Sequence, residues 1–267
     1  MMRSVLTKTL RDSRRAFAWW AIGIAGLVAL MVAVFPTVRD NEELNALVQE
    51  YPEALKGFIA FGGEVDYLSG AGYLGSELFS FMVPLLFLIA AVGAGAGAIA
   101  GEEERGTLDL LLSAPVSRAR VALEKLAAMT LEVAGLGAVL FACLAAGAPL
   151  VDMEVGVGDL AAACVAAVAL ALVFGGIAFG LGAATGRRAL AIGVAVAAAV
   201  VTYVVNGLAP LVPAFDAIRE LTPFFQYAAG DPLRSGLDVP RVLLLLGAGA
   251  VFGAAGLVAF TRRDVAT

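Results

Sequence analysis

Residues 160–185 read LAAACVAAVALALVFGGIAFGLGAAT, and no residue in this run carries a charge. About 20 consecutive apolar residues span the hydrocarbon core of a bilayer as a helix, because a helix satisfies its own backbone polar groups. Gly186-Arg187-Arg188 separates this run from a second one at 189–211, and two arginines are costly at the centre of a bilayer. The stretch therefore predicts two membrane-spanning helices joined by a short polar turn.

Four further apolar runs accompany this pair. They lie at 17–37, 78–100, 126–148 and 240–260. The chain has 61% apolar and 15% charged residues, whereas a soluble domain carries about 25% charged residues. The sequence therefore predicts an all-α polytopic membrane protein with six transmembrane helices, in which residues 1–267 form a single transmembrane domain.

Lys and Arg residues indicate the orientation of the six runs. Most of the 18 lie before the first run, between the second and third, between the fourth and fifth, and after the sixth. Cytoplasmic loops carry the excess of basic residues in membrane proteins. Both termini are therefore predicted to be cytoplasmic, and the chain is predicted to be a multi-pass protein of the cell (plasma) membrane.

Residues 3–16 precede the first run and combine apolar and basic positions at helical spacing. Leu6 and Leu10 share one side, and Lys8 lies on another. The pattern predicts an N-terminal interfacial helix whose basic side faces the headgroups of membrane lipid. A simple topology signal explains the same residues, and both interpretations stay open.

Two outer segments carry helical patterns broken by proline. In the first outer loop, 38–77, Pro52 interrupts a helical pattern, which predicts two short helices and not one. The outer segment 212–239 is apolar but too short between its prolines to span a bilayer, so re-entrant or interfacial outer helices are predicted there. These prolines are Pro213, Pro223 and Pro232.

The inner loop 101–125 reads GEEERGTLDLLLSAPVSRARVALEK and combines charges with an apolar ridge. Three leucines at positions i, i+3 and i+4 share one face of a short helix. They are Leu108, Leu111 and Leu112. Pro115 ends that helix, because the residue before a proline avoids the α region, and Ser117 suits the N-cap of the next helix. Such a ridge predicts a docking surface for a cytoplasmic partner.

The motif in this loop resembles a known family. Acidic residues are followed by Gly-Thr-Leu, Leu-Leu-Ser, Pro115 and Arg118, a pattern similar to the E-E-x-x-G-T-L-x-x-L-L-S-x-P-v-s-R run of the type 2 permease family of ATP-binding-cassette (ABC) transporters. LTPFFQY at 221–227, with Gly-Asp-Pro at 230–232, resembles the outer segment that precedes the last span in that family. The number of spans and the cytoplasmic termini agree with it, so the resemblance covers the whole chain. The first outer loop is longer than a minimal member requires.

The resemblance implies that the loop contributes a coupling helix, which docks on a separate ABC ATP-binding subunit. The residues implied in this docking are Glu102, Glu103, Glu104, Arg105, Gly106, Thr107, Leu108, Leu111, Leu112, Pro115 and Arg118. The string at 182–188 is the nearest to a phosphate-binding loop, but it lacks the Lys and the Ser or Thr that such a loop needs. ATP and magnesium are therefore expected on the partner subunit, with no cofactor bound by this chain. The chain is then not an enzyme but the permease subunit of a transporter, expected to be an exporter.

In the resembled family a translocation path runs between two permease halves, which implies a homodimer or a paired heterodimer. Gly93, Gly97 and Gly101 form a GxxxGxxxG run in the second span, and small residues at this spacing let helices approach closely. The run is either a dimer interface or a packing face within the chain. Pairs in the fourth and sixth spans carry the same alternatives. They are Gly176 with Gly180, Gly182 with Gly186, and Gly249 with Gly253.

Polar residues within the spans are candidates for a pathway or a gate. Glu132 lies about two turns into the third run, and an intramembrane carboxylate is a functional hypothesis by default. A purely structural role is the alternative. Thr202, Tyr203 and Asn206 form a second polar group, in the fifth run toward the outside, which either lines a path or bonds between helices.

Composition narrows the remaining classes of function. The chain has no His and two Cys, so no metal site is predicted. The net charge of −5, without a basic patch interleaved with aromatic residues, argues against a nucleic-acid partner. An ion-coupled secondary transporter with Glu132 as its carrier carboxylate, and a non-transporting membrane anchor subunit, stay open as alternatives. The paired broken helices typical of the former are not visible.

Overall fold

A computed structural model of the protein describes residues 4–41, 43, 46–47, 50–59, 66–108 and 116–263. Within these ranges all regular structure is helical. In chain order the helices are α1 (Val5–Arg39), α2 (Glu53–Ile59), α3 (Gly70–Ala98), α4 (Ala100–Glu104), α5 (Arg118–Gly147), α6 (Val157–Thr185), α7 (Arg188–Leu208), α8 (Pro213–Arg219), α9 (Pro223–Ala228), α10 (Pro232–Ser235) and α11 (Val239–Arg262).

Among the described residues, six helices are long and apolar enough to cross a membrane: α1, α3, α5, α6, α7 and α11. The prediction of an all-α polytopic membrane protein with six spans is confirmed. Two of the helices are much longer than the apolar runs inside them, since α1 begins at Val5 and α5 at Arg118. Hydropathy marks only the apolar part of a helix. The helix itself continues to the point where a cap satisfies the free backbone groups of its end.

The segment predicted as a separate N-terminal interfacial helix is continuous with the first span. The Oγ of Ser4 accepts a hydrogen bond from the N–H of Thr7 at 3.1 Å and caps the helix. Glu124 Oε2, on α5, accepts a second bond from the N–H of Leu6 at 2.9 Å. Because these acceptors satisfy free N–H groups of the first turn, α1 extends as one helix through the basic segment.

Helix α6 forms the centre of the bundle. In its most apolar 18-residue window 72% of the residues are buried, compared with 17% in α1. Glycines bring α11 very close to it, because a Cβ built on Gly176 would lie 2.6 Å from the carbonyl oxygen of Gly249. A Cβ on Gly256 would lie 2.6 Å from the Cα of Gly180. The glycine pairs of the fourth and sixth spans therefore pack within the chain.

Three short helices, α8, α9 and α10, occupy the outer segment where re-entrant or interfacial helices are predicted. Each has a proline in its first turn, where the missing N–H would have no partner in the helix and the fixed φ suits helix initiation. In the first outer loop, α2 follows Pro52, and its Phe58 contacts Gly207 of α7. The other helix predicted in this loop falls partly outside the described residues.

The outer part of α3 is a π-helix, Leu74–Met82, which gives way to an α-helix at Val83–Ala98. Its irregular backbone is held by side chains from other segments. Tyr227 of α9 donates its hydroxyl to the carbonyl of Phe79 at 2.8 Å. The Tyr67 hydroxyl donates to Glu77 at 2.7 Å, and burial together with this bond raises the pKa of Tyr67 above its usual value. These bonds fix the outer end of α3.

Candidate functional site

Glu102, the first glutamate of the inner-loop motif, is bonded within the chain. Its carboxylate accepts from Lys125 Nζ at 2.6 Å and from Thr107 Oγ1 at 2.5 Å, with an Arg105 guanidinium nitrogen 3.7 Å away. The Lys125 side chain is only 8% exposed. Burial alone would raise the pKa of Glu102, but the bonds from Lys125 and Thr107 and the nearby positive charges hold it below its ordinary value. The motif is therefore tied to α5 by a buried ion pair.

Glu103 and Glu104 bind two other helices. Glu103 pairs with Arg263, just beyond the end of α11, and the backbone carbonyl of Arg263 accepts from Arg118 Nη1 at 2.7 Å. Glu104 Oε1 accepts from the backbone N–H of Arg188, the first residue of α7, at 3.0 Å. The three glutamates, named here the glutamate clasp, connect α4 to α5, α7 and α11.

The apolar ridge predicted for docking is only partly visible. Leu108 is 2% exposed and packs into a cluster with Val5, Val121 and Phe260, so it anchors the start of the loop within the chain. Gly106 has a φ of +66°, a left-handed turn that glycine adopts without strain. Leu111, Leu112 and Pro115 lie outside the described residues. Docking on this ridge stays a prediction.

The next helix begins as its sequence predicts. The Ser117 side chain accepts from the N–H of Arg120 at 3.3 Å and caps α5. Val121, in the first turn of α5, is fully buried, and Val116, just before the cap, packs against the same cluster. The cap fixes the point at which the loop enters α5.

The glycine run of the second span faces open space over most of its length. Among the described residues, a Cβ on Gly93 or Gly97 would meet nothing within 4 Å, and the three atoms nearest to one on Gly101 are arginine side-chain atoms at 3.8 Å. Close packing within the chain uses a different face of α3, where Gly95 lies against Gly175. We call Gly93 and Gly97 the open glycine stripe.

A cavity of about 710 Å³ lies between α1, α3 and α5, beside this stripe. Glu132 of α5 faces it and accepts a hydrogen bond from Ser13 Oγ of α1. One end of the cavity is lined by basic residues, Lys8, Arg105, Lys125 and Arg188. The other end is apolar, with Phe17, Trp20, Ile89 and Leu136. Glu132 therefore faces an open cavity and has a hydrogen-bond donor there, which lowers the cost of holding a polar group in a membrane helix.

A second, apolar groove of about 380 Å³ lies between α3 and α7. Its walls include Leu85, Leu88 and Val92 of α3 and Ile192, Val196 and Val200 of α7. Aromatic rings border one end, where the Tyr203 centroid lies 5.1 Å from that of Phe224 and 5.4 Å from that of Phe58. The first outer loop thus contributes Phe58 to the aromatic border of the groove.

Thr202, Tyr203 and Asn206 do not form one polar group. Tyr203 lines the groove, whereas Thr202 Oγ1 donates to the carbonyl of Ala198 in its own helix at 2.7 Å. Asn206 Oδ1 accepts from Arg219 Nε at 3.3 Å, which links α7 to α8. Tyr203 therefore lies at the groove, and a pathway role for the three residues stays a prediction.

Four residues in these sites are absent from the predicted set: Ser13, Lys125, Arg188 and Arg263. Each is paired with a residue far away in sequence, as Arg263 is with Glu103. The sequence does place basic residues at the inner ends of the spans. Their positions indicate the topology, but they do not indicate which acidic residue each one pairs with. Within the described ranges, no group of three or more His, Cys, Asp or Glu residues gathers to hold a metal ion.

The fold and these sites define a multi-pass membrane subunit whose charged loop is bonded to several of its spans. A family model described as ABC-2 family transporter protein matches residues 3–265. The match covers nearly the whole chain, so the protein belongs to this family and is an ABC transporter permease subunit. The resemblance drawn from the inner loop is confirmed. No curated protein matches the sequence.

Proposed function

We propose that this chain is the membrane subunit of an ABC exporter and is moved by a separate ATP-binding subunit that docks on the loop 101–125. ATP and magnesium bind to that subunit. The observation that carries the proposal is the glutamate clasp, in which Glu102, Glu103 and Glu104 bond to three different spans. A docking segment connected in this way transmits a displacement to most of the bundle.

The bonds of the clasp determine which helices respond to the loop. Lys125 lies within α5 and Arg188 begins α7, while Arg263 follows α11 directly. A rigid-body movement of α4 therefore pulls on the inner ends of these three spans together. Because α7 forms one wall of the apolar groove and α3 forms the other, relative movement of these helices changes the width of the groove.

We further propose that two permease copies assemble, as a homodimer or with a paired permease. The apolar groove and the open glycine stripe both lie on α3, and the part of the chain that the structure describes does not fill them. An apolar groove of this kind suits a hydrophobic compound or a lipid tail, because binding pockets for such molecules are mostly apolar. Export of a hydrophobic substrate along this surface is the function that the geometry supports best.

Docking is tested with a paired set of variants. Leu111→Asp/Leu112→Asp places two charges on the predicted ridge, whereas the control Leu150→Asp/Val157→Asp places two charges at exposed positions at the other end of the bundle. We expect the ridge variant to lose about tenfold or more in affinity for the ATP-binding subunit, as loss of a central apolar contact does. Co-purification and ATP hydrolysis of the complex measure this. Wild-type association of the ridge variant would refute the docking assignment.

Direction and energy source are tested in inverted membrane vesicles. An exporter accumulates a fluorescent hydrophobic dye inside such vesicles when ATP is added. Glu132 in its cavity also suits the alternative of an ion-coupled carrier, which would accumulate the dye with an ion gradient and without ATP. Accumulation that needs the gradient alone, and is abolished by Glu132→Gln, would favour that carrier over the permease.

A further inference from the structure

The basic end of the cavity between α1, α3 and α5 is built for an anion. A Cβ placed on Gly101 would lie 3.8 Å from both terminal nitrogens of Arg105 and 3.8 Å from the Cδ of Arg188. The two arginine side chains therefore both pass close to Gly101, and Lys8 lines the same cavity. Cations gathered in one cavity repel each other, and an anion between them relieves that repulsion.

The carboxylates nearby neutralise this end only in part. Glu102 is bonded to Lys125 and Thr107 and lies 3.7 Å from Arg105, so it faces two cations with one charge. Glu104 binds the backbone N–H of Arg188, not its side chain. Asp12 also lines the cavity. Counting Lys8, Arg105, Lys125 and Arg188 against Asp12 and Glu102, the basic end has two more positive than negative groups.

The opposite end has the shape and chemistry of an acyl-chain site. It is lined by Phe17, Trp20, Ile89 and Leu136, and its floor is the open glycine stripe, Gly93 and Gly97. A trough without side chains on a membrane helix is filled by whatever solvent surrounds it, which in a bilayer core is hydrocarbon. A basic end that binds an anion and continues into an apolar trough matches the shape and charge of a phospholipid.

We propose that an anionic phospholipid of the cytoplasmic leaflet binds in this cavity. Its phosphate lies between Arg105, Arg188 and Lys8, and one acyl chain runs along the open glycine stripe. Basic pockets between transmembrane helices on the cytoplasmic side bind lipid headgroups for the same electrostatic reason. Glu132 faces the cavity between its two ends and is bonded to Ser13, so it marks the depth at which the headgroup site gives way to the chain site.

The chain carries a reporter for this lipid. It has two tryptophans: Trp20 lines the cavity, and Trp19 is 74% exposed on the outer surface of the bundle. Trp19→Phe leaves Trp20 as the single fluorophore, and Trp20→Phe leaves Trp19 to report on bulk lipid. The full-length permease is placed in phosphatidylcholine nanodiscs that contain increasing fractions of a lipid with brominated acyl chains, which quench tryptophan at contact distance.

We expect brominated phosphatidylglycerol to half-quench Trp20 at about fivefold lower mole fraction than brominated phosphatidylcholine, the effect of one basic residue near an anionic headgroup. Trp19 should not distinguish the two lipids. Arg105→Gln/Arg188→Gln should abolish the preference. The matched control Arg120→Gln/Arg187→Gln removes two charges that do not line the cavity and should retain it.

A second variant tests the chain site without touching the charges. Gly97→Leu fills the stripe, and a Cβ there meets no neighbouring atom, so the variant is expected to fold. It should abolish the preference of Trp20 for brominated phosphatidylglycerol, so that Trp20, like Trp19, no longer distinguishes the two lipids. Equal quenching of Trp20 by both lipids, or the same preference at Trp19, would overturn the proposal. If soluble glycerol phosphate reduced the quenching of Trp20 and Trp20 showed no lipid preference, the cavity would bind a free anion and not a phospholipid. That result would also overturn the proposal.

Discussion

The interface between α6 and α11 and the open stripe on α3 have the same sequence motif and opposite structures. Both carry glycines four residues apart. At Gly176 and Gly249 the two backbones touch, so that an added Cβ would overlap its neighbour, whereas at Gly93 and Gly97 an added Cβ meets nothing. A GxxxG motif gives a helix a small-residue face; it does not decide whether this chain, another chain or lipid covers that face.

The largest expected effect comes from adding a side chain to the closed interface. Gly249→Val places its Cβ 2.8 Å from the carbonyl oxygen of Leu172, so α6 and α11 must separate. Overpacking of this kind costs about 3 kcal/mol or more when the obstacle is backbone. We expect little folded, monodisperse protein, measured by size-exclusion chromatography and thermal unfolding.

The matched control is Gly93→Val on the open stripe. It adds the same side chain to a membrane-spanning helix but meets no neighbour, so we expect wild-type yield and a nearly unchanged melting temperature. If the two variants behaved alike, the contrast between the closed and open glycines would be wrong.

The second effect concerns the Glu102–Lys125 ion pair just beyond the inner end of α3. Here charge, and not glycine packing, holds two helices together. Lys125→Met removes the main partner of the partly buried Glu102 carboxylate, which keeps Thr107 and Arg105. Loss of a hydrogen bond to a charged group costs about 1.5–3 kcal/mol. The control Arg120→Met removes a cation from the exposed pair with Glu124, which costs less than about 1 kcal/mol. Thermal unfolding of both variants measures the difference. Adding Glu102→Gln to Lys125→Met should recover part of the loss, because the charge that lost its main partner is then absent.

A third, smaller effect is the response of the same pair to pH. The pKa of Glu102 is lower in the folded protein than its ordinary value of 4.5. Its contribution to stability is therefore complete at neutral pH and is lost as the pH falls below 4.5 toward the folded pKa. Glu102→Gln should show a smaller fall in melting temperature between pH 7 and pH 4 than the wild type. An equal fall in both proteins would show that the pair contributes no such dependence.

The sequence predicts those features that depend on local pattern. The six spans follow from runs of apolar residues, and the cap at Ser117 follows from one side chain and its neighbours. The proline-initiated outer helices follow from a fixed φ. Each of these is decided within a few residues, where propensity and hydropathy act directly.

The remainder depends on residues that are distant in sequence. Glu103 meets Arg263, which lies 160 residues further along the chain, and the loop carries several equivalent acids that could have taken that place. The sequence does not indicate that these glutamates bond to their own spans, and docking of the loop on a partner stays a prediction. Gly95 packs on α6, and this contact decides which face of α3 stays open. The sequence of α3 alone does not predict which of its glycine faces makes that contact.

The smallest expected effect tests the open stripe in the assembled protein. Gly97→Ala adds one methyl group to a helix interior, where alanine is favoured over glycine by about 0.5–1 kcal/mol. With nothing within 4 Å of the new Cβ, we expect a small rise in melting temperature. A bound acyl chain tolerates the methyl group because it can shift along the trough. The measurement is a melting curve for the permease alone and for its complex with the ATP-binding subunit. A fall in the complex, and not in the permease alone, would mean that a second helix packs tightly on Gly97 after assembly, because only a close helix has no room for one methyl group.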